Sequence, residues 1–185
     1  MQRCPVWSTE AAETAKKSSE RCKFEHVDRE QRKISECYCG ENLYRNTASP
    51  NWTLAITAFC DEQKFFTYAG EKKDPKEETG HYTQTVWYLS AKVGCHCTYC
   101  GGTWMYACHQ CPAGNVAPVN IPYESGSSCG QCPNNCRNKL CTNPCTKYNI
   151  VTKGNCETYK KRNLCNMDAM KQQCAASCNC EKEIY

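Results

Sequence analysis

Twenty cysteines in a chain of 185 residues are the first source of chemistry in this sequence. Thiols at that density either close disulfides or bind metal, and one stretch fits the second use. Cys108-x2-Cys111, seventeen residues, then Cys129-x2-Cys132 matches the spacing of a zinc ribbon. A ribbon leaves sixteen cysteines without a role, so disulfides account for the composition more economically. The second set of reactive side chains is sparser. His26, Glu41, Glu62 and His81 supply two imidazoles and two carboxylates within 56 positions, groups suited to proton transfer and ligation. Their spacing alone does not bring them together.

Whether they meet depends on the elements that carry them. Residues 8–22 read as a helix with Ser8 as N-cap, Glu10 and Glu13 in the early turns, and Ala12, Ala15 and Cys22 on the buried side. A second helix begins at Asn51, places Leu54, Ala55, Ala58 and Phe59 at helical spacing, and ends near Lys64. Asn51-Trp52-Thr53 is also a glycosylation acceptor triplet, so Asn51 has two readings, helix cap or glycan site. Residues 82–88, 92–97 and 104–111 are short, rich in Tyr, Thr, Val and Trp, and separated by turn residues, which predicts an antiparallel sheet. Trp7, Trp52, Trp87 and Trp104 are expected in the core, and His96 and His109 as ordinary sheet residues. Helices layered on a sheet then occupy residues 1–111. Residues 112–128 hold three prolines and two glycines and read as a connector.

Charge and cysteine density both change after that stretch. Residues 129–185 contain nine Lys/Arg against four Asp/Glu, a net charge of +5, while residues 1–128 sum to −1. The same C-terminal stretch holds ten cysteines but only seven Leu, Ile, Val, Met or Phe residues, too few to build a core without covalent staples. No apolar run approaches the roughly 20 residues of a membrane span. Disulfides on this scale imply an oxidising compartment, although Met1–Trp7 has neither an apolar stretch nor a cleavage site of a signal peptide.

Several motifs in order carry a family resemblance. They are Gly80-His-Tyr-Thr-Gln-Thr-Val-Trp-Tyr88, Val93-Gly-Cys95, Cys108-His-Gln-Cys-Pro-Ala-Gly-Asn115, Pro122-Tyr-Glu-Ser-Gly126, Cys129-Gly-Gln-Cys-Pro133, Leu140-Cys-Thr-Asn-Pro-Cys145 and Cys174-Ala-Ala-Ser-Cys-Asn-Cys180. Together they closely resemble the cysteine-rich secretory proteins of vertebrates over essentially the whole chain. The resemblance implies an α+β fold: an α-β-α sandwich, the CAP domain, over residues 1–111, the connector 112–128, a disulfide hinge over 129–144 and a toxin-like cysteine-rich domain over 145–185. Met1 falls inside the family's CAP domain, so the family's first helix is expected to be missing. In the CAP domain the implied disulfides join Cys22 with Cys100, Cys39 with Cys111, and Cys95 with Cys108. In the hinge they join Cys129 with Cys136 and Cys132 with Cys141, and in the last domain Cys145 with Cys180, Cys156 with Cys174, and Cys165 with Cys178. Cys4, Cys37, Cys60 and Cys97 have no counterpart in that pattern.

The resemblance also implies that His26, Glu41, Glu62 and His81 line one cleft, with the two histidines holding a divalent metal such as zinc. It makes the expected function secreted and non-enzymatic: regulation of a cation channel through the basic C-terminal domain, with Lys147, Lys160, Lys161, Arg162 and Lys171 as candidate contacts. For Lys160, Lys161 and Arg162 a solvated helix face is the plain alternative. The ending Cys180-Glu-Lys-Glu-Ile-Tyr185 resembles reproductive-tract members, so a second expectation is a sperm or egg surface module, or a sterol-binding CAP domain. A zinc hydrolase with Glu41 or Glu62 as general base and His26 and His81 on the metal is the least favoured, since the sequence has no H-E-x-x-H helix and no secure third ligand.

Overall fold

The computed structural model describes residues 4–180 except 144, 146, 148, 150 and 152; Lys182 and the 181–185 ending lie outside the described residues. Two compact units divide the chain. Pro5–Glu124 form the larger, and Cys4 belongs with the chain from Ser125 onward.

In the larger unit β1 (Val6–Trp7), β2 (Gly40–Asn46), β3 (Lys92–Tyr99) and β4 (Trp104–Cys111) form one sheet in the order β1-β3-β4-β2. β3 and β2 each pair antiparallel with β4, and β1 runs parallel to β3. Side chains of successive strand residues point to opposite faces, and contacts identify both faces. Leu43 and Ala107 pack with Ala15 of α1 (Thr9–Ser19). Tyr44 and Tyr106 instead meet Phe59 and Trp52 of α2 (Trp52–Asp61). Helices therefore cover both faces, an α-β-α arrangement.

Local chemistry sets the helix starts. The Ser8 hydroxyl accepts the Ala11 N–H, and Asn51 Oδ1 accepts the N–H groups of Thr53 and Leu54, satisfying amides that a helix leaves unpaired. The backbone N–H of Asn51 is fixed in turn by Tyr106 Oη at 2.9 Å. Helix α1 lies directly on β3 because Gly94 has no side chain: a Cβ there would come within 2.1 Å of the Ala12 nitrogen.

Four expectations are corrected. Residues 82–88 do not form a strand; Gly80–Thr85 is helix α3. Partners remote in sequence reward the turn: Glu62 accepts the N–H of His81 and Tyr82, and Asn42 bonds the His81 carbonyl and Thr85. The buried stripe of α1 is Ala11, Ala15, Ser18 and Ser19, with Ala12 half-buried and Cys22 exposed. Trp87 is buried, but Trp7 and Trp52 are at the surface, with 62% and 39% exposure. Finally, residues 112–124 are part of the larger unit. Ala113 N–H bonds the Tyr38 carbonyl, Gly114 N–H bonds Gln84, and the Pro122 carbonyl accepts Tyr88 N–H, so the boundary falls at 124/125.

The smaller unit contains a two-residue hairpin, β5 (Cys136–Arg137) with β6 (Leu140–Cys141), and three short helices, α4 (Lys153–Lys161), α5 (Asp168–Gln173) and α6 (Ala175–Asn179). Its buried residues among those described are Cys132, Cys141, Cys145, Cys156, Cys174, Cys180, Ala176 and Ser177. Asn149 clamps Ser177, donating to its hydroxyl at 2.8 Å and accepting its N–H at 3.0 Å.

Candidate functional site

The site of the larger unit wraps the edge strand β2. Glu41 faces α1, and its neighbour Asn42 faces α3. Glu41 is fully buried at its side chain and accepts four hydrogen bonds. His26 Nδ1 donates to Oε1 at 2.8 Å and Val27 N–H to the same oxygen at 3.2 Å; Ser18 Oγ donates to Oε2 at 2.6 Å and His109 Nε2 to Oε2 at 3.0 Å. A carboxylate has about four lone-pair sites, so this one is saturated. Burial acts most strongly on Glu41 and opposes ionisation, but the bonds from His109, His26 and Ser18 together prevail and hold its carboxyl far below the usual range.

On the other side of β2, Glu62 continues from α2 and meets α3. Its Oε1 accepts His81 Nδ1 at 2.6 Å, and its Oε2 accepts the N–H groups of His81 and Tyr82 at 2.9 and 3.0 Å. Burial again opposes ionisation, and the His81 and Tyr82 bonds outweigh it, lowering the Glu62 pKa. The His81 ring stacks on Phe59 at 5.2 Å and 18°.

Both halves impose the same tautomer. An ionised carboxylate only accepts, so His26 and His81 each carry a proton on Nδ1, and in the neutral ring Nε2 is then the lone-pair nitrogen. His26 is 59% and His81 30% exposed at the side chain. An imidazole oriented by a carboxylate behind it is the usual support of a histidine metal ligand. Each imidazole is thus oriented by its own carboxylate as a histidine metal ligand would be, with the carboxylate as support rather than ligand.

His109 differs from its expected ordinary sheet role. It is fully buried, stands opposite Glu41 in the β2–β4 register, and bonds Thr14 Oγ1 through Nδ1 at 2.8 Å. No sequence signal marks it, because both faces of β4 are covered and alternation is silent there. His96 bonds Ser19 and Thr98 away from Glu41.

Eight disulfides are formed, with the connectivity that the resemblance implies. In the larger unit Cys22 is bonded to Cys100, Cys39 to Cys111 and Cys95 to Cys108. In the smaller unit Cys129 is bonded to Cys136, Cys132 to Cys141, Cys145 to Cys180, Cys156 to Cys174 and Cys165 to Cys178. All four cysteines of the ribbon spacing are consumed, so no ribbon forms. The sulfurs of Cys129, Cys132 and Cys141 lie within 4.8 Å of one another, but each is committed to a disulfide and offers no thiolate to a metal. Cys4, Cys37, Cys60 and Cys97 are unpaired; burial, assisted by Glu36, pushes the Cys37 thiol up to about 12.

In the smaller unit Lys147, Lys161, Arg162 and Lys171 are exposed and Lys160 is half-buried. Lys160 and Lys161 end α4, where cations complement the helix dipole. Lys171 lies 3.9 Å from Asp168. Among the described residues no helix is long and apolar enough to cross a membrane.

Comparison with known proteins finds two family models along the chain. Residues 5–110 match the model of the cysteine-rich secretory protein family, and residues 129–185 match the Crisp model. Human cysteine-rich secretory protein 3 is 40% identical over 184 residues, covering 97% of this chain and 74% of that protein. The crystal structure of NaASP2 with Zn2+ is similar at TM-score 0.62 and 26% identity, covering 76% of this chain and 77% of the other. Venom allergen-like protein 4 of Schistosoma mansoni shares the fold at TM-score 0.56 and 23% identity, over 68% and 76% of the two chains. With a relative matched across nearly its full length and a family model across more than half of it, this chain belongs to the cysteine-rich secretory protein family.

Proposed function

We propose that this protein is a secreted, non-enzymatic regulator of a cation channel, acting through its cysteine-rich unit. The observation that carries the reading is the +5 charge of residues 129–185 on a scaffold fixed by five disulfides. A rigid cationic surface is steered toward an acidic channel mouth and loses little entropy on docking. Lys147, Lys161 and Arg162 are the exposed cations of choice. Patch-clamp recording of calcium-release and voltage-gated potassium channels with the full chain tests it. Reduced current that weakens at higher salt and is lost on combined reversal of these three charges to Glu is expected; unchanged current, or inhibition indifferent to charge reversal, overturns it.

A second reading concerns the larger unit, whose cleft would hold a divalent metal on His26 and His81. Its support is the pair of Nδ1–carboxylate bonds, together with the zinc named for NaASP2. Zinc calorimetry on the full chain should show one site, lost in His26→Ala and in His81→Ala. Binding retained by the double variant overturns the assignment. Saturation of Glu41 disfavours it as a general base, which supports the non-enzymatic reading. The alternative of an apolar ligand such as a sterol draws on a cavity of about 770 Å³ whose lining mixes Phe66, Pro118 and Val119 with Glu71, Lys72 and Glu78. No residue in it singles out that ligand.

A further inference from the structure

We propose that His109 and Ser18 are positioning residues of the cleft, acting on His26 through Glu41; the inference rests on the reading of His26 as a metal ligand. Glu41 Oε2 is held by two buried donors. Ser18 comes from α1 at 2.6 Å and His109 from the centre of the sheet at 3.0 Å. These donors fix the plane of a side chain with no solvent exposure. Once Oε2 is fixed, Oε1 can face only His26 Nδ1 and Val27 N–H. His26 itself is mostly exposed, so packing alone does not hold its ring. The carboxylate sets its orientation and its tautomer.

His109 is anchored on its other side by Thr14, whose hydroxyl also bonds the Ala11 carbonyl at 3.0 Å. A line of contacts therefore runs from helix α1 through Thr14, His109 and Glu41 to the exposed imidazole. A buried histidine that served packing alone would need one partner for each nitrogen but no particular one. Here one partner is the carboxylate that orients a surface histidine, and the β2–β4 register sets the two residues directly opposite each other. Outer-shell partners of this kind typically alter metal affinity by about 10–100-fold when removed.

The test uses the full chain and two readouts: zinc affinity by calorimetry, and the tautomer of His26 from its imidazole 15N shifts at about pH 8, above the ordinary histidine range. Wild type should show the Nδ1–H tautomer before zinc is added. His109→Leu should give a mixture of tautomers and weaken zinc about 10–100-fold, whereas His109→Gln, which keeps an N–H donor for Oε2, should restore both within about threefold. His96→Gln should change neither. Ser18→Ala removes the other donor to the same oxygen with helix propensity preserved, and should move both readouts in the direction of His109→Leu; it decides the matter should the leucine variant not fold. If the folded variants keep wild-type affinity and a single His26 tautomer, the proposal is overturned. If wild type binds no zinc, the metal reading fails by itself, and the metal-free tautomer still decides the positioning role.

Discussion

The two units solve the same stability problem with different materials. The larger unit buries aromatic, aliphatic and hydrogen-bonded polar side chains between a sheet and helices, including Leu43, Phe59, Tyr106, Ala107, Glu41 and His109. The described interior of the smaller unit is six cysteines, one alanine and one serine. Three disulfides join a structure that has a core; five replace a core that composition does not supply. Each unit therefore carries chemistry in a different place. Several bonded polar groups lie inside the first, whereas among the described residues of the second the one buried polar side chain is Ser177, held by Asn149.

The largest effect that would sharpen this contrast is reduction. Each disulfide contributes about 2–4 kcal/mol, so a reducing agent should abolish hydrogen-exchange protection throughout the smaller unit while the larger keeps a cooperative unfolding transition. Equal loss in both units would break the distinction.

Gly94→Ala should act in the opposite sense. The new methyl meets the backbone of α1, and the helix must shift, costing the larger unit about 1–3 kcal/mol by urea unfolding. Protection in the smaller unit should be unchanged.

Acid offers a third comparison. Glu41 and Glu62 have carboxyl groups held below their ordinary value of 4.5 in the folded protein. The unfolded chain therefore binds more protons as pH falls, and the stabilisation, fully present well above 4.5, is lost as pH drops through the lower folded values. A tenfold difference in proton affinity is worth about 1.4 kcal/mol. Urea midpoints of the larger unit should fall below about pH 4.5, and Glu41→Gln should flatten that slope. A disulfide has no proton to gain, so hydrogen exchange in the smaller unit should be the less affected.

The smallest effect expected is that of Asn51→Ala. Loss of the cap on α2 costs about 1 kcal/mol, again confined to the larger unit and read by thermal unfolding. No change would mean that the contact between Asn51 N–H and Tyr106 Oη is sufficient to start the helix.

What the sequence determined by itself was local or compositional. The capping residues Ser8 and Asn51, the strands β3 and β4, the excess positive charge after residue 128 and the dependence of that region on cysteine all follow from residue type and short-range pattern. β2 was not legible, because Gly-Glu-Asn-Leu-Tyr-Arg-Asn lacks β-branched residues; its strand conformation comes from pairing with β4. Gly80–Thr85 has the residue types of a strand and becomes a helix through Glu62 and Asn42, distant in sequence. His109 gave no sign of a role, since its importance lies in standing across from Glu41. Register, face and partner are properties of the folded sheet. Only tertiary structure, in which a one-residue shift would turn every side chain to the other face, decided that the carboxylate behind His26 is held from within.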